Sequence, residues 1–522
     1  MMDSDRSSAR ESTPCESNTD SHTVGDEEVI NPTDVEKGIA PDTNVTALPD
    51  GEPQRPRDPN RVDWDGPDDP QNPLNWPFWK KVNSTVIISS ITLVTPLGSS
   101  MFAPGVPEVM KDFHTTNLEL MSFVVSVYLV GYCFGPLMIA PVSELYGRLI
   151  VYNVCNVLYV VFTIACAVAP DLASLIVFRL FAGLAGSCPL TIGAGSIADM
   201  FVQEQRGAAM AAWAIGPLIG PVIGPVAGGY LTQAKGWRWT FWVIAMAAGV
   251  IVISTFIFMR ESYAVTLLDK KTRRLRKETG NPNLRSALDT GRSARQLFMF
   301  SILRPTKMLF LSPIVFLLSL HVAVVYGYLY LLFTTMTTVF QSQYGFSQGS
   351  VGLAYLGIGV GSMLGLAVMG CVSDRLLRYL TRKHGVKKPE YRLPPMIPGT
   401  FFIPVALFIY GWTAEKKTHW IVPIIGTSFL GVGMLFSFMT VSTYLVDAYT
   451  IYAASAMAAN AVFRSLVGAL LPLAGGPMYQ TLGLGWGNSL LGFISLALAP
   501  LPLVFYIYGE RIRQSKMFRV EF

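Results

Sequence analysis

Residues 131–148 read GYCFGPLMIAPVSELYGR, and residues 361–378 read GSMLGLAVMGCVSDRLLR. A shift of 230 residues lays Gly131, Gly135, Ser143, Glu144 and Arg148 over Gly361, Gly365, Ser373, Asp374 and Arg378. Each copy is an apolar run that carries glycines on its way to a charged end, the pattern of a membrane span reaching a wet surface. A repeat at this distance predicts two matched halves joined by a long connection.

Composition supports lipid as the solvent. Of 522 residues, 51% are hydrophobic and only 14% charged, against about 25% charged in soluble domains. Apolar runs long enough to cross the bilayer occupy 82–103, 118–141, 149–169, 173–197, 208–231, 239–259, 308–332, 349–371, 397–412, 420–444, 454–478 and 487–508, twelve in all. The links at 260–305 and 374–392 carry eleven and seven Lys/Arg against four and two acids. Basic links stay in the cytosol, so both ends of the chain belong there and the number of spans is even.

The organisation expected is a disordered acidic cytosolic tail (1–79), a six-helix bundle (80–259), a cytosolic central loop (260–305), a second six-helix bundle (306–508) and a cytosolic C-terminal tail (509–522). The tail holds 18 acids and 6 bases and has too little apolar surface to offset ordering entropy. Trp76, Phe78, Trp79, Lys80 and Lys81 form the aromatic and cationic mixture that sits at headgroup depth before the first span. No apolar leader precedes them, so the first span itself directs insertion. Six scattered cysteines lack metal-site spacing and read as packing residues.

Within the spans, a few residues are costly unless they do something. Arg179, in IVFRLFAGLAG, carries a charge that costs roughly 3 kcal/mol at mid-bilayer unless it faces protein or water. It is a candidate for proton coupling or substrate binding, the alternative being a snorkelling anchor near the Pro170–Asp171 link. Asn460 and Arg464 stand four apart in an otherwise apolar span and should share an inward face. Tyr326 and Tyr330 share one face of the seventh span, and His321 and Tyr328 another. Tyrosines there suit a cavity for flat apolar molecules, or simple interhelical packing, and His321 reads either as a titrating group or as a packing residue. In the fifth span, GPLIGPVIGPVAGG sets Gly216, Gly220, Gly224 and Gly228 on one face. Pro217, Pro221 and Pro225 follow the first three of these glycines, and Gly229 closes the run. Bare glycines permit close helix approach and prolines bend the axis, which reads as a hinge.

These motifs resemble those of the major facilitator superfamily. The 131–148 stretch is similar to the superfamily's motif after helix 2, in which an acid, a glycine and an arginine close the cytosolic gate, here Glu144, Gly147 and Arg148. Asp199 is the expected third member, bridged by Arg148, and Asp374 with Arg378 the counterpart in the second half. Arg179, Gly183 and Gly186 match the helix-4 motif whose arginine is associated with proton coupling, and the Gly-Pro run resembles the antiporter motif of the exporting branch. DPQNPLNWP (69–77), GWRWTFW (236–242), LRKETGNPN (275–283) and KPEYRLPP (388–395) narrow the resemblance to the fungal twelve-span drug:proton antiporters. Thr337 and His321 depart from that pattern, where proline and an aromatic residue are commoner.

The resemblance implies an all-α polytopic fold, two six-helix bundles about a central cavity, and export of small, largely apolar drugs, toxins or metabolites in exchange for protons. The sequence holds no phosphate-binding loop and no hydrolase motif, so the expected energy source is the proton gradient, with no cofactor, no metal and no enzyme activity. The expected partners are a small-molecule substrate, protons and the bilayer, with no nucleic acid, in a monomer of the plasma membrane or, alternatively, the vacuole. A nutrient importer of the same fold and a membrane sensor signalling through its acidic tail are the rival readings.

Overall fold

The computed structural model describes residues 60–514, apart from Gln203, Glu204, Thr290, Arg292 and Lys387. Six helices build the first bundle: α1 (Phe78–Ser100), α2 (Leu118–Tyr146), α3 (Arg148–Ala167), α4 (Leu172–Met200), α5 (Arg206–Lys235) and α6 (Arg238–Phe258). The second holds α7 (Pro313–Tyr344), α8 (Gln348–His384), α9 (Met396–Glu415), α10 (Ile421–Ala448), α11 (453–482) and α12 (484–514). The last two run on as one helical stretch except at Gly483, whose φ of 74° and ψ of 177° turn the chain. Across that residue the Tyr479 hydroxyl meets the Asn488 Oδ1 at 3.1 Å, whereas nine residues of straight helix would separate them by about 13 Å. The chain therefore reverses there, and the twelve crossings expected are present.

The apolar core shows how the bundles meet. One continuous cluster joins both halves, from Ile91, Phe102, Tyr128 and Phe241 to Tyr330, Phe340, Tyr355 and Leu430. Towards the face that carries the basic links the core divides. Ile88, Ile139, Tyr152, Ile192 and Met200 form a cluster within the first bundle, and Ile314, Val322, Met396, Tyr444 and Phe505 one within the second. At the opposite end the Gly349 N–H donates to the Gln233 Oε1 at 2.9 Å, tying α8 to α5. The bundles thus share one core towards the outer side and keep separate cores towards the basic side, where the Ala294–Leu311 helix touches both α2 and α11.

Two boundaries differ from the sequence reading. The acidic tail was expected to run to residue 79, yet 60–79 is built into the fold, while 1–59 lies outside the described residues. Strand β1 (Arg61–Val62) pairs in parallel with β2 (Arg285–Ser286) of the central loop. Lys271 reaches Asp65 at 2.6 Å, the Asp63 carbonyl at 2.9 Å and Asp69 at 3.7 Å. Two backbone N–H donors and Lys271 hold the Asp69 carboxyl below the usual range. Polar composition foretold disorder, but a basic helix at Ala264–Thr279 supplies the missing partners. The central loop is correspondingly not loop alone: a second helix, Ala294–Leu311, runs past the expected boundary at 305, and α7 begins at Pro313 behind a Ser312 cap.

Candidate transport site and gates

At the basic face, α2 stops because Gly147 takes φ +94°, which side chains resist, and its bare Cα leaves room for the Glu261 carboxylate. Glu261 accepts the N–H groups of Arg148 at 3.0 Å and Leu149 at 3.1 Å, a negative cap on the N-terminus of α3. The Arg148 side chain donates to the Ser143 hydroxyl at 2.6 Å and pairs with Asp199 at 3.3 Å. Its guanidinium lies 4.6 Å from the Tyr263 ring, whose phenol burial pushes up to about 12. One arginine so binds the ends of α2 and α4 to the segment after α6. Glu144, expected as its acid, stands exposed at the end of α2, and the acid Arg148 pairs with is Asp199.

The second half repeats this knot with a different arginine. Arg392 donates to the Ser373 hydroxyl at 3.1 Å, pairs with Asp447 at 2.9 Å and also pairs with Asp374. Arg378, the expected partner, is exposed, and its Nε donates to the Asp374 backbone carbonyl instead. The reason is one residue. The repeat puts Leu377 where the first half has Gly147, so α8 continues to His384 and carries Arg378 away from the knot. Arg392 then returns from the longer α8–α9 link. Sequence reading missed Arg392 and Asp447, although Asp447 ends α10 as Asp199 ends α4.

The glycine face of α5 lies against α1. A Cβ on Gly216 would come 2.9 Å from the Leu93 nitrogen, one on Gly220 3.0 Å from the Leu97 nitrogen and one on Gly224 3.0 Å from the Met101 nitrogen. Gly228 abuts the Met101 carbonyl, while Gly229 faces the Gln348 carbonyl on α8. Pro217, Pro221 and Pro225 lie inside one continuous helix, so any bending is distributed along it. α5 is therefore the element that touches its own bundle along one face and the other bundle along the next.

At mid-depth the two intramembrane arginines differ. Arg179 is buried and not a snorkelling anchor. Its Nε donates to the Val124 carbonyl at 2.7 Å and its Nη2 to the Ser99 and Val125 carbonyls at 3.1 and 3.3 Å. Phe102, Tyr128 and Phe241 surround it at 4.9, 5.5 and 5.6 Å. Ser99 in turn shares a hydrogen bond of 2.9 Å with Tyr330, crossing from α1 to α7, and the Tyr326 ring packs on Tyr330 at a tilt of 50°, with 5.1 Å between ring centroids. Arg464 lies over Tyr326 at 4.8 Å and Phe438 at 4.9 Å. His321 meets the Ser437 hydroxyl at 3.1 Å, and Asn460 is buried with an unpartnered Oδ1. Tyr328 bonds the Leu491 carbonyl and Thr337 the Tyr355 hydroxyl, both interhelical packing.

The family model described as the Major Facilitator Superfamily matches residues 88–472. The chain is 72% identical over 472 residues to the MFS-type transporter penM of Penicillium rubens, covering 90% of this chain and 93% of that protein. It is 51% identical to the efflux pump radE of Floropilus chiversii, over 89% of this chain and 87% of that one. Among solved structures, the xylose transporter XylE of E. coli in a partially occluded inward-open conformation covers 82% of this chain and 98% of its own. Its TM-score is 0.61 at 15% identity, which speaks for the fold alone.

Proposed function

The chain is a member of the major facilitator superfamily, a multi-pass membrane transporter and not an enzyme, and from that premise we propose that it exports small, largely apolar compounds in exchange for protons. The single observation that carries the direction is α5, whose Gly-Pro register matches the antiporter motif and whose bare face lies on the α1 backbone. An efflux pump among its relatives supports the same direction.

In this reading alternating access rocks the bundles about α5 and α8. The Arg148 and Arg392 knots stiffen the basic ends of their own bundles so that each moves as a body. Substrate enters the divide between the bundles from the cytosol or inner leaflet, and a proton returns inward as the protein resets. Arg179 serves as the tie between α1, α2 and α4, elements that must keep register while access changes. The protein acts as a monomer in the plasma membrane.

Vesicles of inside-out orientation test the proposal. With an acidic lumen they should accumulate members of a panel of fluorescent aromatic compounds, and a protonophore should collapse the gradient. Accumulation that ignores the pH gradient, or that runs only in the importing direction, would overturn it.

A further inference from the structure

We propose that Arg464 is the anion-recognising group of the transport chamber, so that preferred substrates carry an acidic group, a carboxylate or an enolate, on an otherwise apolar frame. The inference rests on the transport reading above and names the substrate class of that same site. Arg464 stands eleven residues into α11, about 16 Å along its axis and thus near mid-bilayer. A guanidinium is charged at every accessible pH, and leaving it there without a partner is expensive.

Among the described residues no negative charge offsets that cost. α7 and α11 contain no Asp or Glu, and the one acid of α10, Asp447, is held by Arg392. Among the described residues no carboxylate pairs with Arg464, and its Nε is buried without a hydrogen-bond partner. The Tyr326 and Phe438 rings lie 4.8 and 4.9 Å from the guanidinium, and ring faces leave the N–H fork without an oxygen acceptor. That is the geometry in which arginine takes a planar oxyanion through two parallel hydrogen bonds. The two helices that meet at this arginine carry two further unsatisfied groups, both on inward-packed side chains. Asn460, one turn earlier on the same helix, keeps a free Oδ1 at 2% exposure, and His321, on the helix that carries Tyr326, keeps a free Nδ1 at 1%. Asn460 offers an acceptor to a hydroxyl or amide of the ligand. Arg179 supplies the contrast, since three backbone carbonyls already hold its donors.

The test is binding of a matched pair, pyrenebutyrate and its neutral methyl ester, to the full-length protein in nanodiscs, read by pyrene fluorescence. Wild type should bind the acid about tenfold tighter or better, the least expected of a desolvated charge contact. Arg464→Gln should lose that preference while holding the ester within about twofold, and Arg464→Lys should retain part of it. Equal affinity of wild type for acid and ester, or an acid preference that survives in Arg464→Gln, would overturn the proposal. Should Arg464→Gln fail to fold, the wild-type pair and the Lys variant still decide. Acid preference without export in vesicles would fault the export reading alone, whereas export of neutral dyes without acid preference would fault the site alone.

Discussion

Arg179 and Arg464 are the same residue type inside the two bundles, and they are treated in opposite ways. Arg179 is enclosed by carbonyls of α1 and α2, which are dipoles and not charges, and by three aromatic rings. Arg464 has rings alone and an Nε with no acceptor. A cation whose fork is held by carbonyls of two helices is a fastener, whereas one without an acceptor waits for a counter-charge.

The largest expected effect separates the two directly. Arg179→Ala removes three charge-assisted hydrogen bonds between helices, each worth about 1.5–3 kcal/mol. The variant should reach the membrane, melt well below wild type in detergent and lose export. Arg179→Lys should not rescue it, because one ammonium cannot span carbonyls on both helices. Arg464→Leu should melt at or above the wild-type temperature, since Arg464 is half-buried with no counter-charge and an apolar side chain there removes a cation that nothing neutralises. Equal destabilisation by Arg179→Ala and Arg464→Leu, measured by thermal unfolding, would break the distinction.

The gates extend the comparison from single residues to halves. Arg392→Ala should reduce export by about tenfold or more, as it unties Ser373, Asp374 and Asp447 at once at a half-buried helix junction. Arg378→Ala, at an exposed position, should stay within about twofold in the same vesicle assay. A smaller effect is expected along α5. Gly224→Ala must displace the Ser100 hydroxyl and press on the Met101 nitrogen at 3.0 Å, and should cost about 1–3 kcal/mol of stability, while Gly249→Ala on α6, with open space around it, should be neutral. The smallest concerns the 60–79 strap. Because the folded state lowers the Asp69 carboxyl, its contribution is present above the ordinary carboxylate range and is lost as pH falls through the lowered value. Protease cleavage within the strap should therefore accelerate only under strongly acidic conditions.

Much of this was legible before any coordinates. Hydropathy, the charge of the links and the 230-residue repeat predict twelve crossings in two halves, because a bilayer forces every span to declare itself in composition. The bare face of α5 was equally plain, since glycine spacing at four residues admits only one geometry on a helix. The Arg148–Asp199 pair followed from the same logic of charges at helix ends.

What pattern could not deliver was partnership across long separations. The repeat pointed to Arg378, and the difference between Gly147 and Leu377 decides that one helix breaks where the other continues. The strap at 60–79 is acidic enough to read as disordered, yet Lys271, some 200 residues later, orders it. Arg179 and Arg464 both read as costly intramembrane cations, and only packing assigns three carbonyls to one and none to the other. Which segments enter the lipid follows from composition, because transfer free energy is local and additive along the chain. Which buried charges are satisfied was left to the tertiary structure, because a hydrogen bond depends on where two distant backbones meet.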